Sequence, residues 1–464
     1  MFVNRSEELG ALDRLWQANA AQLFVLYGRR RVGKTELLQQ FCRNKRAVYF
    51  LAAQVREADH LRSMTEAIRG ALPDPLLEAL RFDQWEPLFS YLGRLAQSER
   101  LVVVLDEFQY LCDSNPALPS LLQRFWDLHG HRTRLFLVLC GSHISFMERE
   151  VLAERSPLYG RRTGQQHLLP LSFRDSSLFF PDYRPRDRLI AYGLLGGMPA
   201  YLKFFDPRRS IRDNAIGQML RPQGYLHDEV NFLLRTELKD PRTYASLLRA
   251  IADGCTRLNE IAQRAQLDAT TANKYLQVLR ELDLIRREVS AFERAPEKRR
   301  KSTYVIEDNY VAFYFRFLFP YLSLLASGAA ETVYDRFIAP QLNAYMGPIF
   351  EEVCRQYVQR YWGERLKSMP LRAGLHRDRD FDLDVVAPLA EGGYLLGECK
   401  WWGRPVGEKV LEALKASARR LPEPAQRDAR LAIFSGGGFT EALQRRAKEE
   451  GVMLAGLGEL LGRS

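Results

Sequence analysis

Cysteine is sparse in this chain and shows no paired spacing. Cys42, Cys112, Cys140, Cys255, Cys354 and Cys399 are scattered over 464 residues, with no C-x-x-C and no histidine at metal-ligand spacing. That pattern excludes a disulfide framework and a structural zinc site, and it predicts reduced thiols in a cytoplasmic protein. The opening MFVNRSEEL lacks an apolar core and carries charge from Arg5 onward, so no signal peptide is expected. Long hydrophobic runs are also scarce. Tyr310 to Ala330 is the one stretch of spanning length, but Arg316 and then Pro320 interrupt it, so it reads as an aromatic-rich buried helix or interdomain brace and no membrane association is expected. Charge of one sign does not dominate either. Lys plus Arg is 67 against 57 for Asp plus Glu, a surplus of +10 that favours a polyanionic partner only where it is concentrated. Hydrophobic residues at 46% and charged residues at 27% exclude a disordered or fibrous chain. The length admits about three domains.

The strongest chemical signal lies near the N-terminus. AQLFVLY, Ala21 to Tyr27, is apolar without helical spacing and runs directly into GRRRVGKTELLQQF. Strand, glycine loop and helix in that order, with Gly28, Gly33, Lys34 and Thr35 on the G-x-x-x-x-G-K-[ST] spacing, predict a phosphate-binding loop. Its backbone N–H groups and the positive end of the following helix would cradle ATP. The nucleotide-contacting residues are then Gly28, Arg29, Arg30, Arg31, Val32, Gly33, Lys34, Thr35 and Glu36. Lys34 would neutralise the β and γ phosphates, and Thr35 would hold Mg2+.

LVVVLDEFQYL, 101–111, supplies the acidic side of such a site: an unbroken apolar strand ending in adjacent carboxylates. Asp106 is expected at the metal and Glu107 at the attacking water, although Asp106 alone would equally serve as a helix cap. A third apolar strand, LFLVLC at 135–140, ends on Ser142 and His143, of which Ser142 is the better candidate to sense the γ phosphate. One of Arg149, Arg155, Arg161 and Arg162 could assist the transition state, and the sequence does not choose among them.

FVNRSEELGAL, GRRRVGKTELL, LVVVLDEFQYL, LCGSHISFM and the later GGMPAYL together resemble the archaeal-type ATPases of the STAND branch of the AAA+ superfamily. The resemblance covers most of the chain, because one subgroup carries a winged helix and a C-terminal domain similar to PD-(D/E)xK nucleases. It implies that Asn4 and Arg5 lie near the adenine. By themselves these residues indicate only a helix start, with Asn4 three residues before Glu7.

The segment from Leu168 to about Lys239 is aromatic and proline-punctuated, and reads as a small helical lid. Beyond Pro241 come three helical segments, near TYASLLRAIADG, LNEIAQRAQ and ATTANKYLQVLRELDLI, followed by strand-like IRREVS and STYVIED. This is the pattern of a winged helix-turn-helix. On its third helix Thr270, Thr271, Asn273, Lys274, Gln277 and Arg280 would be exposed, while Tyr275, Leu276, Leu279 and Leu282 would pack. Basic residues gather at the wing: Arg286, Arg287, Arg294, Lys298, Arg299, Arg300 and Lys301. Together with Lys274 they form the expected DNA contact, the alternatives being a solvated loop or a protein-packing module.

From Leu342 the order reads helix, three strands, helix, strand, helix, strand. In GGYLLGECKWW, Glu398 and Lys400 fall on one strand face. With Asp384 one strand earlier, where Asp382 competes for the role, and Glu351 on the leading helix, they could form a magnesium site with a lysine beside the water. Glu398-x-Lys400 and Asp384 resemble the PD-(D/E)xK signature; a surface ion pair is the simpler reading of E-x-K.

The expected architecture is therefore α/β: a P-loop parallel-sheet ATPase core (1–167), a helical lid (168–240), a winged helix-turn-helix (241–306), a helical connector (307–341) and a restriction-endonuclease-like α/β domain (342–464). The expected function is an ATPase coupled to DNA binding, with a nuclease domain that is either active or degenerate, in a protein able to form homo-oligomers. The alternative is an ATP-switched regulator with slow turnover.

Overall fold

The computed structural model describes residues 2–72, 81–292, 302–377, 381–421 and 428–462. It divides into two compact units, Met1–Pro170 and Leu171–Ser464.

Apolar runs without polar interruption become strands covered on both faces. The first unit holds five strands, β1 (Gln22–Tyr27), β2 (Ala47–Leu51), β3 (Leu101–Asp106), β4 (Leu135–Gly141) and β5 (Gly164–His167). They pair in the order β2-β3-β4-β1-β5, parallel throughout. β1, β3 and β4 are buried along their whole length because helices cover both faces. Helices Glu57–Ala71, Trp85–Ser98 and Leu118–Leu128 bring Met64, Trp85, Phe89 and Phe125 into a core with Val103 and Leu137. Each such fully buried side chain contributes roughly 1.5–3 kcal/mol. The register sets Leu26 beside Cys140 and Leu105 beside Leu139, so the chain leaves β1, β3 and β4 at one common edge. That carboxyl edge is where open parallel sheets hold ligands.

In the second unit, helices Pro241–Ala252, Leu258–Arg264 and Ala269–Glu281 precede an antiparallel pair, β6 (Ile285–Glu288) and β7 (Thr303–Ile306). Asp268 starts the third helix by accepting from the N–H groups of Thr270 and Thr271 at 3.0 and 2.9 Å. Leu276, Leu279 and Leu282 are buried as expected; Tyr275 is half-buried and bonds Asp240 at 3.2 Å. The aromatic stretch from Asn309 is divided into short helical pieces, Asn309–Phe313 and Leu322–Ala326 being α-helical, rather than one regular helix. A wide turn at Tyr314–Leu318 and a tight one at Phe319–Tyr321 carry the chain past Pro320, which cannot donate to a helical ladder. Among the described residues no helix is long and apolar enough to cross a membrane.

The C-terminal order matches the expected one. After the long helix Ala339–Tyr361 come β8 (Gly374–Arg377), β9 (Asp382–Pro388), β10 (Tyr394–Lys400), helix Glu408–Ala418, β11 (Ala429–Ser435), helix Glu441–Glu450 and β12 (Met453–Gly456). The sheet runs β12-β11-β10-β9-β8, with β8, β9 and β10 antiparallel and β10, β11 and β12 parallel. After β6 the chain reaches the edge of this sheet, where the Ala291 N–H donates to the Leu375 carbonyl at 2.8 Å.

Candidate functional site

The loop after β1 is shaped by what a side chain would strike. A Cβ on Gly28 would stand 2.4 Å from the Leu168 carbonyl oxygen, so only glycine permits this approach. Gly33 then starts helix Lys34–Cys42 from a left-handed conformation. Lys34 is only 6% exposed, and its ammonium donates to the carbonyls of Gly28 at 2.7 Å and Arg29 at 3.0 Å. The loop thus holds its own cation in the pocket that faces the sheet edge. Arg30 donates to the Tyr110 hydroxyl at 2.7 Å and ties the loop to helix Phe108–Ser114.

Arg5, expected near an adenine, braces the loop instead. Its buried guanidinium donates to the Val32 carbonyl at 3.1 Å and to the Leu169 carbonyl at 2.8 Å, and pairs with Glu8 at 2.9 Å. Its donors here go to two backbone oxygens and one carboxylate. Asn4 is exposed and accepts from the Ser6 N–H and hydroxyl at 3.4 and 3.1 Å, a local helix-start contact.

Asp106 leaves β3 fully buried and collects three donors. Thr35 Oγ1 donates to its Oδ2 at 2.8 Å, Tyr49 Oη to the same oxygen at 2.5 Å, and the Glu107 N–H to Oδ1 at 2.9 Å. Burial, and then the Asp106 carboxylate, push the Tyr49 phenol far above its ordinary value, so it stays protonated and donates. Hydroxyl and carboxylate oxygens are the donor set a hard divalent cation takes, and they sit where the loop would present phosphates. Glu107 follows in a left-handed conformation, φ 54°, uncommon for a side chain of its size and of the kind that gathers at functional sites. Its Oε2 accepts from Ser142 Oγ at 2.5 Å, the Ser142 N–H at 3.3 Å and Gln109 Nε2 at 2.5 Å.

The structure therefore brings together Lys34, Thr35, Asp106, Glu107 and Ser142. Sequence reasoning missed Tyr49 and Gln109. Tyr49 is the aromatic polar residue of AVYFL, and its reach across to β3 leaves no trace in spacing. Gln109 in DEFQYL looks like an ordinary helix residue. The four arginines after β4 all have partners: Arg149 on the Ser145 carbonyl at 3.0 Å, Arg155 on Glu150 at 3.4 Å, Arg161 on both oxygens of Asp127 at 3.0 Å and Arg162 on the Leu152 carbonyl at 2.8 Å.

In the second unit the expected metal carboxylates are close but do not converge. Asp384 Oδ2 accepts from the Cys399 N–H at 2.8 Å, Glu398 is bonded by Lys400, and Glu351 lies 3.6 Å from Arg377 and 3.9 Å from Arg355. Among the described residues no three His, Cys, Asp or Glu side chains stand where they could hold a metal ion. Burial and then Asp384 raise the Glu351 carboxyl to about 7 and also lift Glu398; burial raises Asp384 itself, opposed by its Cys399 N–H bond. Burial alone would lower Lys400, but its bond to Glu398 holds it above its ordinary value. Asp382 is exposed at the start of β9.

Arg286 is held by acidic neighbours. Expected on a phosphate, it bonds three carboxylates, Glu288 and Glu307 at 2.7 Å and Glu352 at 3.0 Å. Arg287 donates to Ser302 Oγ at 2.5 Å, while Lys274 is exposed on its helix. Arg294, Lys298, Arg299, Arg300 and Lys301 lie outside the described residues.

Comparison with known proteins bears on the family and the fold. The sequence model of an ATPase domain predominantly from Archaea matches residues 2–205, and that of archaeal and bacterial proteins of unknown function matches 314–411. The uncharacterized protein MJECL04 of Methanocaldococcus jannaschii is 33% identical over 390 residues, which span 83% of this chain and 84% of that one. The uncharacterized ATP-binding protein MJ0423 of the same organism is 61% identical over 46 residues, 10% of this chain and 78% of that protein. In fold the chain is similar to the Walker-type ATPase PABY2304 of Pyrococcus abyssi, with TM-score 0.51 and 22% identity over 68% of this chain and 96% of that one. The chain belongs, with MJECL04, to the family that carries the ATPase domain found predominantly in Archaea, and it is a P-loop ATPase.

Proposed function

We propose that this ATPase hydrolyses ATP at the edge formed by β1, β3 and β4, and that nucleotide occupancy is coupled to DNA binding by the second unit. The observation that carries the first half is the Thr35–Asp106 contact of 2.8 Å beside Glu107 and the buried Lys34. Loop N–H groups from Arg29 to Thr35, with Glu36 in the first helical turn, would surround the phosphates. Lys34 would exchange the Gly28 and Arg29 carbonyls for phosphate oxygens. Glu107 would accept a proton from the attacking water, and Ser142 would hold that carboxylate and read the γ phosphate. Magnesium, when bound with the nucleotide, would be held by Thr35 and Asp106 and would offset charge on the phosphates. The test is phosphate release with and without duplex DNA, stimulation by DNA being the expected result.

In this reading residues 1–167 form the ATPase core, 168–240 a helical lid, 241–306 a winged helix-turn-helix, 307–341 a connector and 342–464 a domain of restriction-endonuclease type. Support for DNA contact comes from the three helices and antiparallel pair, with Lys274 and Arg280 exposed on the third helix. A homo-oligomer is compatible with it.

For the C-terminal domain a second reading is favoured by a specific observation. Arg355 and Arg377 beside Glu351, and Lys400 on Glu398, leave the carboxylates neutralised from within. The protein would then be an ATP-switched regulator in which the nuclease-like core no longer cuts. Plasmid nicking in magnesium that disappears in Lys400→Ala would favour cleavage. No nicking with or without ATP would favour the regulator.

A further inference from the structure

All three donors that hold Glu107 land on Oε2, and none of them reaches Oε1. Two come from Ser142. The third is the amide of Gln109, whose Nε2 also lies 3.3 Å from Ser142 Oγ and whose carbonyl is unfavourably buried. Gln109 is 5% exposed, and its Oε1 has no hydrogen-bond partner among the described residues. A desolvated carbonyl without a donor costs stability, which an apolar side chain of similar volume would not. Space for the amide depends on Gly141: a Cβ there would stand 3.0 Å from Gln109 Oε1 and 2.5 Å from Met147 Sδ. Gln109 thus occupies a pocket left open by a glycine, and its Nε2 points at Glu107.

We infer that Gln109 is a positioning residue for ATP hydrolysis. Its amide N–H, with Ser142, saturates Glu107 Oε2 and fixes the carboxylate so that Oε1 is the oxygen that meets water. In the step it serves, a water O–H bond breaks toward Oε1 while the water oxygen bonds the γ phosphorus. The bridging oxygen leaves with the electron pair on ADP, and the proton passes on to the released phosphate. The inference rests on Glu107 acting as the base.

The experiment compares Gln109→Leu, Gln109→Met, Glu107→Gln and the Glu107→Gln/Gln109→Leu pair, using single-turnover and steady-state hydrolysis together with thermal unfolding. Gln109→Leu is expected to lower kcat about tenfold, as misplacement of a general base does, with KM for ATP within about twofold. Its thermal midpoint should equal or exceed that of the parent protein. In the Glu107→Gln background the same change should have no further effect, because the carboxylate it positions is gone. Gln109→Met guards against a failure specific to leucine. Parental kcat in both Gln109 variants overturns the inference, as does an equal rate loss in both backgrounds accompanied by a lower midpoint, which marks a purely structural role. Parental turnover in Glu107→Gln would instead overturn the assignment of the base, and this inference with it.

Discussion

Ser142 Oγ lies 2.5 Å from Glu107 Oε2, although 35 residues separate them in the chain. The contact joins the ends of β3 and β4, so the catalytic assignment depends on strand order as much as on the motif. Ser142→Ala removes the shorter of its two bonds to Glu107 and leaves the phosphate loop untouched. Turnover should fall by about ten- to a hundredfold, with ATP affinity unchanged within about twofold, as read by phosphate release and calorimetry.

Gly28 faces backbone, not a movable side chain. Gly28→Ala would force its Cβ against the Leu168 carbonyl oxygen, 2.4 Å away, and the loop or the segment after β5 must shift. A loss of about 1–3 kcal/mol of stability is expected in urea unfolding, together with weakened ATP binding. An alanine variant of parental stability would contradict the geometry.

Arg286 and Lys274 differ in surroundings, the first paired with carboxylates and the second exposed where the proposed function puts a nucleic-acid contact. Arg286→Ala leaves Glu288, Glu307 and Glu352 without their shared partner, and Glu288 is only 10% exposed. About 2–4 kcal/mol of stability should be lost. Lys274→Ala, on an exposed face, should leave stability unchanged while weakening duplex binding and lowering its salt slope by about one. Gel-shift titrations at several salt concentrations read the second effect, and urea midpoints the first.

The buried carboxylate of Glu351 gives stability a pH dependence. Its folded value of about 7 lies above the ordinary 4.5, so the folded state holds the proton more tightly than the unfolded chain. The stabilisation is complete below 4.5 and is lost as pH rises through 7, by an amount on the order of 1–3 kcal/mol. Asp384 and Glu398 are raised in the same direction and add to the slope. Urea midpoints at pH 5 and pH 8 should differ less in Glu351→Gln than in the parent.

The parts legible in the sequence were those where one short segment carries both the element and its chemistry. LFVLYGRRRVGKT specified strand, loop and helix together, and LVVVLDE specified a buried strand with its acid pair at the ligand edge. The C-terminal element order was legible for the same reason: each apolar run ends in a turn or cap of its own. Partnerships across distant segments were hidden. Arg286 sits in a basic stretch and reads as a phosphate contact until Glu307 and Glu352 are folded against it. Arg377 was invisible as the neighbour of Glu351 because only the β8 hairpin and the long helix bring them together. Tyr49 reaches Asp106 from the adjoining strand, a contact set by sheet order that a linear reading cannot weigh.

The central claim is that one pocket at the carboxyl edge of the first sheet binds ATP through Lys34 and hydrolyses it through Glu107. Phosphate release and ATP calorimetry on the intact chain, beside Lys34→Ala and Glu107→Gln, test it most directly. The parent should bind ATP and turn it over with magnesium, Glu107→Gln should bind without turnover, and Lys34→Ala should lose binding. Undiminished ATP uptake in Lys34→Ala, or unchanged phosphate release in Glu107→Gln, would contradict it.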